Sequence, residues 1–355
     1  MSTSNQLAAA DVMAVDTANQ MADILAMPDH IEDALWRFDS AQIVPTPAAG
    51  LVICGMGGSA IGGDLATAVL GSRTAKPIQV VRDYELPSWV TSETAVLCSS
   101  YSGNTEETLA CYEAAGRIGA PRYVASAGGL LSERAHADGV PVIGIPGILQ
   151  PRASVGYMTV AALSVAGIVG AAPAGIRAEL DAVVGPLREL CSAWGPDGAT
   201  DGPAKQLART ADGKLVAIYG NGLTTPIAYR WKCQINENVK VPCWSAVLPE
   251  ANHNDINGWG GANGLGPHLV VFLRDADQNE RVQKRIGLTQ EAVGESAVQS
   301  VVIDSTGTTR SDRLFASVLL GDLTSVYMAT LRGVDPSPVP VIEHLKDALG
   351  RPGSK

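Results

Sequence analysis

The sequence predicts an α/β protein of two lobes, each a mostly parallel sheet flanked by helices in the doubly wound, flavodoxin-like manner. Three observations predict it. Short, continuously apolar runs read as strands buried on both faces; glycine turns follow such runs and open helices; and the strand–turn–helix pattern recurs in the second half of the chain.

Residues 11–37 read as helical, with Met13, Ile24, Leu25, Ile31 and Leu35 on an approximate apolar face. Leu51-Val52-Ile53-Cys54 then reads as a strand running into Gly55-Met56-Gly57-Gly58-Ser59, with a helix to about Leu70. Further strands are expected at 78–81, 95–99, 122–125 and 140–145, followed by alanine-rich helix over about 157–190. The polar Gly/Pro/Asp stretch 195–203 reads as a linker. Beyond it, 214–219 leads into Gly220-Asn221-Gly222 and a helix to about Asn238, with later strands at 269–273 and 301–303. The resulting division is an N-terminal helical segment (1–44), a first lobe (45–194), the linker, a second lobe (204–334) and a C-terminal helical tail (335–355). A cleft between two such lobes is the natural place for a ligand.

Composition excludes several classes. The 355 residues are 46% hydrophobic and carry a net charge of −10, which argues against nucleic acid or an anionic membrane as partner. No N-terminal signal or anchor pattern is read, and no window is expected to approach the roughly 18 apolar residues of a membrane span, so a cytoplasmic location is expected. Cysteines 54, 98, 111, 191, 233 and 243 form no CxxC pair and read as reduced core thiols. No metal site is expected, since His253 and His268 are separated by glycine-rich sequence, and no cofactor is called for.

Two loops carry anion-binding chemistry. The turn Gly55-Met56-Gly57-Gly58-Ser59-Ala60 opens a helix directly after a buried strand, where free N–H groups and partial positive charge favour an anion. Alone it is equally a tight packing turn or a loose dinucleotide fingerprint with Asp83 ending the second strand. The second loop, Ser99-Ser100-Tyr101-Ser102-Gly103-Asn104-Thr105, shifts the balance. Hydroxyls at Ser100, Ser102 and Thr105 can converge on one phosphate, Gly103 lets the backbone curl, Thr105 can cap the helix, and Glu106 and Glu107 suit its first turn.

GMGGSAIGGD and SSYSGNTEET resemble the sugar isomerase (SIS) domain, in particular the bifunctional phosphoglucose/phosphomannose isomerase family, and the likeness runs from about residue 45 to the C-terminus. The resemblance implies a sugar phosphate held by Ser59, Ser100, Ser102 and Thr105, with Gly58 at the first turn. Asn236-Glu237-Asn238 and Asn252-His253-Asn254-Asp255 are similar to the family's catalytic segments. By that likeness Glu237 moves a proton between C1 and C2, and His253 assists ring opening from the partner subunit of a homodimer. Arg152, in Gln150-Pro151-Arg152-Ala153, matches the arginine that stabilises the enediolate, and Lys346 the lysine of a C-terminal helix that aids ring opening.

Asp255 stands where the family pattern has Glu, Asn257 is unusual, and ASVGY replaces AALGY after Arg152. These departures bear on the choice between glucose and mannose phosphates, which differ only at C2. The implied activity interconverts fructose 6-phosphate with both aldose phosphates. Three other readings stay open: a non-catalytic sugar-phosphate sensor, an isomerase of a different phosphosugar, and a nicotinamide-dependent dehydrogenase built on the Gly55 turn.

Overall fold

The N-terminal segment is three helices rather than the continuous one expected over 11–37: α1 (Ala9–Met13), α2 (Gln20–Leu25) and α3 (Met27–Ser40). The interruption has a local cause. The Asp16 carboxylate accepts the N–H groups of Gln20 at 2.9 Å and Met21 at 2.7 Å, while Asn19 adopts a left-handed φ of 57°. Amides that a continued helix would have paired internally find a charged acceptor instead. The computed structural model describes residues 7–262, 264–296 and 298–350.

The first sheet is assembled from β1 (Gly50–Cys54), α4 (Gly57–Leu70), β2 (Ile78–Val81), β3 (Thr94–Ser100), α5 (Glu106–Ile118), β4 (Arg122–Ser126), α6 (Gly129–Ala137) and β5 (Val142–Gly144). Its strands are all parallel, in the order β2-β1-β3-β4-β5. Strand order reverses between β1 and β3. That is where an open α/β sheet leaves a crevice at its carboxyl edge, and both anion-type loops emerge there.

α7 (Val155–Ile168) and α8 (Ile176–Trp194) follow, two helices where a single one was expected, separated by a turn that includes Pro173. The stretch read as a linker is tied down. The Lys205 ammonium donates to the carbonyls of Pro196 (2.7 Å) and Gly198 (3.1 Å), and Arg209 to that of Thr200 (2.7 Å).

The second sheet is built from α9 (Pro203–Ala211), β6 (Leu215–Gly220), α10 (Thr224–Gln234), β7 (Cys243–Val247), α11 (Asp255–Trp259), β8 (His268–Arg274), α12 (Glu280–Glu295) and β9 (Gln299–Asp304). Its parallel strands run β7-β6-β8-β9. α13 (Arg310–Arg332) and α14 (Pro340–Leu349) end the described chain.

Alternation along the strands sorts the side chains between layers. Leu51, Ile53 and Leu97 of the first sheet and Ile218, Leu269 and Val271 of the second enter one continuous core, shared with α3, α4, α7, α8, α10 and α13. The opposite faces meet α5 and α6 in one lobe and α11 and α12 in the other. By length and composition α13 could span a bilayer, against the expectation that no window approaches that length. It is the central helix of this core instead, with Leu314, Phe315, Leu319, Leu323 and Tyr327 fully covered.

Candidate active site

Ser59 lies in the first turn of α4 and its hydroxyl accepts the N–H of Tyr101 at 3.1 Å, which draws the two anion-type loops together. Ser100 and Thr105 hydroxyls are 2.8 Å apart, and Ser100 Oγ also accepts the Gly103 N–H at 3.1 Å. Ser102 Oγ accepts the Asn104 N–H at 3.2 Å. The expected capping of α5 by Thr105 does not occur, because its hydroxyl is engaged with Ser100 rather than with the helix amides. Gly103 is required: its φ is +68°, and a Cβ there would lie 1.7 Å from the Gly128 carbonyl oxygen.

Arg152 follows close beside the first of these loops. A Cβ on Gly58 would come within 3.1 Å of the Pro151 carbonyl oxygen, so the absence of a side chain lets α4 meet the single turn Pro151–Ser154 closely. Tyr101 secures the approach to that turn. Its hydroxyl lies 3.0 Å from the Pro146 carbonyl and 2.7 Å from the Leu149 carbonyl, and it accepts the Leu149 N–H at 2.8 Å.

Arg152 is 6% exposed. Its Nη2 donates to Gln20 Oε1 and to the carbonyls of Pro336 and Ser337, each at 2.8 Å, and its Nη1 lies 3.6 Å from Glu237 Oε2. Glu237 belongs to a single π-type turn, Ile235–Val239, that continues α10, and its side chain remains one-third exposed (33%). Burial pushes the Arg152 guanidinium down from its ordinary value, opposed by the Glu237 carboxylate. Lys240 closes the same turn with a left-handed φ of 60°, donating to the Glu237 carbonyl and, at 3.0 Å, to the Pro336 carbonyl. Burial lowers its ammonium, and the Arg152 charge lowers it further. Among the described residues, Arg152 Nε and Ser337 Oγ are buried without a hydrogen-bond partner.

The chain therefore places Gly58, Ser59, Ser100, Ser102 and Thr105 on two loops joined at Ser59 and Tyr101, and brings Arg152 and Glu237 to each other. It does not bring His253 to them. That residue ends the turn Glu250–His253 beyond β7, exposed, and among the described residues no hydrogen bond or ion pair joins it to Arg152 or Glu237. Asp255 and Asn257 lie in α11 just after it. Lys346 falls within α14, but its side chain lies outside the described residues. Gln20 and Lys240 join the Arg152–Glu237 cluster, and Tyr101 ties the hydroxyl loop to the approach of Arg152, although no local pattern singled them out. Among the described residues no group of three or more His, Cys, Asp or Glu could hold a metal ion.

Two parallel sheets with a hydroxyl-rich loop at the first switch point are the architecture of the sugar isomerase (SIS) class. Residues 200–349 match the family described as bacterial phospho-glucose isomerase C-terminal SIS domain. The chain is 40% identical over 330 residues to the bifunctional phosphoglucose/phosphomannose isomerase of Caldicellulosiruptor bescii, covering 91% of this chain and 96% of the relative. It is 35% identical over 305 residues to the protein of that name from Aquifex aeolicus, covering 86% and 91%. The chain belongs to the bifunctional phosphoglucose/phosphomannose isomerase family. A hypothetical protein of Thermus thermophilus shares the fold with a TM-score of 0.72 at 14% identity, over 93% of this chain and 90% of that one.

Proposed function

We propose that the protein interconverts fructose 6-phosphate with glucose 6-phosphate and mannose 6-phosphate through a cis-enediolate. The observation that carries the reading is the approach of Arg152 Nη1 to Glu237 Oε2 at 3.6 Å, with Arg152 next to the loops that carry the Ser59, Ser100 and Thr105 hydroxyls. Ser59, Ser100, Ser102 and Thr105 hold the phosphate, with the Gly58 backbone at the helix start. The Glu237 carboxylate removes the C2 proton of the open-chain aldose, and the electron pair it leaves moves into the C1–C2 bond and puts the negative charge of the enediolate on the C1 oxygen. Transfer of the C2 hydroxyl proton to the C1 oxygen and return of the carbon-bound proton from Glu237 to C1 yield the ketose. Arg152 faces the enediolate oxygens and offsets their developing charge. Return of the proton to either face of C2 distinguishes glucose from mannose phosphate.

Ring opening falls to His253 of a second copy and to Lys346. The exposure of His253, of Trp244 and Val247 on the edge strand β7, and of Val341, Leu345 and Leu349 on α14 supports a homodimer in which these surfaces are covered. A cytoplasmic location and the division into lobes at 45–194 and 204–334 belong to the same reading.

The test is incubation of the full chain with fructose 6-phosphate in deuterated water, following both aldose phosphates by proton NMR. Both products with deuterium at C2 are expected. Binding of fructose 6-phosphate without turnover would replace this reading with a sensor.

A further inference from the structure

The N-terminal segment has no part in the chemistry proposed above, yet it delivers a side chain into it. Gln20, the first residue of α2, is 1% exposed. A buried carboxamide costs free energy unless both of its ends are paired. Arginine is a donor only, so the Gln20 oxygen must face it, and Gln20 Oε1 accepts from Arg152 Nη2 at 2.8 Å. The other end donates from Nε2 to Asn238 Oδ1 at 3.1 Å.

Asn238 is the residue after Glu237 in the π-type turn and is fully buried. Its Nδ2 donates to Ser325 Oγ at 2.8 Å, and Ser325 donates to the Asp322 carbonyl at 2.7 Å. The Gln20 amide is thus held at a fixed orientation between Arg152 and the turn that carries Glu237. Asp16 fixes the start of α2 from below, and Thr17 donates to the Asp335 carboxylate, whose other oxygen accepts the Ser337 N–H at 3.0 Å. Ser337 in turn supplies one of the carbonyls that receive Arg152 Nη2.

We propose that Gln20 is a positioning residue for proton transfer: it orients the Arg152 guanidinium and, through Asn238, sets that plane relative to the Glu237 carboxylate. The α1–α2 segment is then part of the active site rather than an appendage to the first lobe. The proposal rests on the roles given above to Arg152 and Glu237.

The experiment measures kcat, KM and the primary isotope effect with C2-deuterated glucose 6-phosphate for the full chain and three variants. Gln20→Met keeps the length and removes both hydrogen bonds. It is expected to lower kcat about 10- to 100-fold, as misplacement of a reacting group does, with KM changed less than about twofold because the phosphate loop is untouched. The isotope effect should rise as proton transfer becomes more rate-limiting. A smaller folded fraction would lower kcat but leave the isotope effect where it was.

Should Gln20→Met not fold, Gln20→Glu is read instead. It retains an acceptor for the buried guanidinium but opposes Asn238 Oδ1 with a second acceptor, and it is expected to show the same fall in kcat and rise in isotope effect. Arg152→Ala separates the two levels of the argument. Wild-type turnover in Arg152→Ala would remove the reading on which the proposal rests. An inactive Arg152→Ala beside a folded Gln20 variant with wild-type kcat and isotope effect would overturn the proposal itself.

Discussion

Arg230 and Asp322 face each other in the core as a bidentate pair, Nε to Oδ1 at 3.0 Å and Nη2 to Oδ2 at 2.6 Å, with side chains 3% and 1% exposed. Arg230 Nη2 also donates to the Arg152 carbonyl at 3.0 Å, and Gln234 Nε2 donates to Asp322 Oδ1 at 2.9 Å. The pair therefore joins α10 and α13 to the turn that carries Arg152. Asp322→Ala would leave a guanidinium in the core without its carboxylate, and a loss of about 3–5 kcal/mol of stability is expected. Urea denaturation measures it, and a change below about 1 kcal/mol would mean that the pair is replaceable by surrounding carbonyls and water.

Gly103→Ala tests the curl of the hydroxyl loop. The added methyl would fall 1.7 Å from the Gly128 carbonyl at a φ of +68°, so the loop must open to accept it. A marked rise in KM for fructose 6-phosphate is expected, with a stability loss on the order of 1–3 kcal/mol. Gly139→Ala is the matched control, with the same φ of +68° but open space around the new methyl. It should cost only about 1 kcal/mol and leave KM alone. Equal effects on KM would show that the backbone angle, not the close approach, is what matters at Gly103.

Much of this architecture is legible in the chain because parallel strands covered on both faces must be apolar throughout. LVIC and LVAIY announce β1 and β6 for that reason. β7 escaped the same criterion: Cys243–Val247 is an edge strand with exposed and half-exposed positions, so it lacks a continuous apolar run. The hydroxyl loop is legible because its groups are neighbours in sequence. The contacts of Arg152 are not, since Gln20, Glu237 and Pro336 reach it only after both lobes and the N-terminal helices have packed. Thr105 shows the limit even locally: a hydroxyl before a helix fits a cap, and only the folded loop shows that Ser100 engages it.

Acid stability should depend on Asp275. Its carboxylate is 2% exposed, and burial by itself would raise its pKa. Hydrogen bonds from the Ser305 hydroxyl, the Arg313 guanidinium and the Asp277 N–H outweigh that and hold it below the ordinary aspartate value of 3.8. The unfolded chain then binds the proton more readily. The resulting stability is fully present above that ordinary value and is lost as pH falls through the lower folded value. Asp275→Asn is expected to be less stable at neutral pH yet to show a flatter decline below about pH 4, read from urea midpoints across an acid series. An acid limb of unchanged slope would assign the decline to other carboxylates.

Ser102→Ala separates affinity from chemistry. Ser102 lies on the hydroxyl loop, outside the Arg152–Glu237 cluster, and among the described residues its hydroxyl has only the Asn104 N–H as a partner, at 3.2 Å. A hydrogen bond to a charged phosphate contributes about 1.5–3 kcal/mol, so KM should rise roughly tenfold or more while kcat changes little. Steady-state kinetics with fructose 6-phosphate decide it, and an unchanged KM would take Ser102 out of the phosphate site.

Glu237→Gln addresses the chemistry alone. The carboxamide keeps the shape of the side chain and its place in the π-type turn, but it cannot accept a carbon-bound proton. Turnover should fall by about a hundredfold to ten-thousandfold, the range attributed to a positioned general base. Binding should survive, because the proposed phosphate site is formed by other residues, and loss of the carboxylate 3.6 Å from Arg152 leaves the guanidinium charge less compensated toward an anionic ligand. Proton NMR in deuterated water should show no incorporation at C2, while calorimetric titration still detects fructose 6-phosphate. Wild-type incorporation would place the base elsewhere, and loss of binding together with turnover would mean that Glu237 maintains the pocket rather than moving the proton.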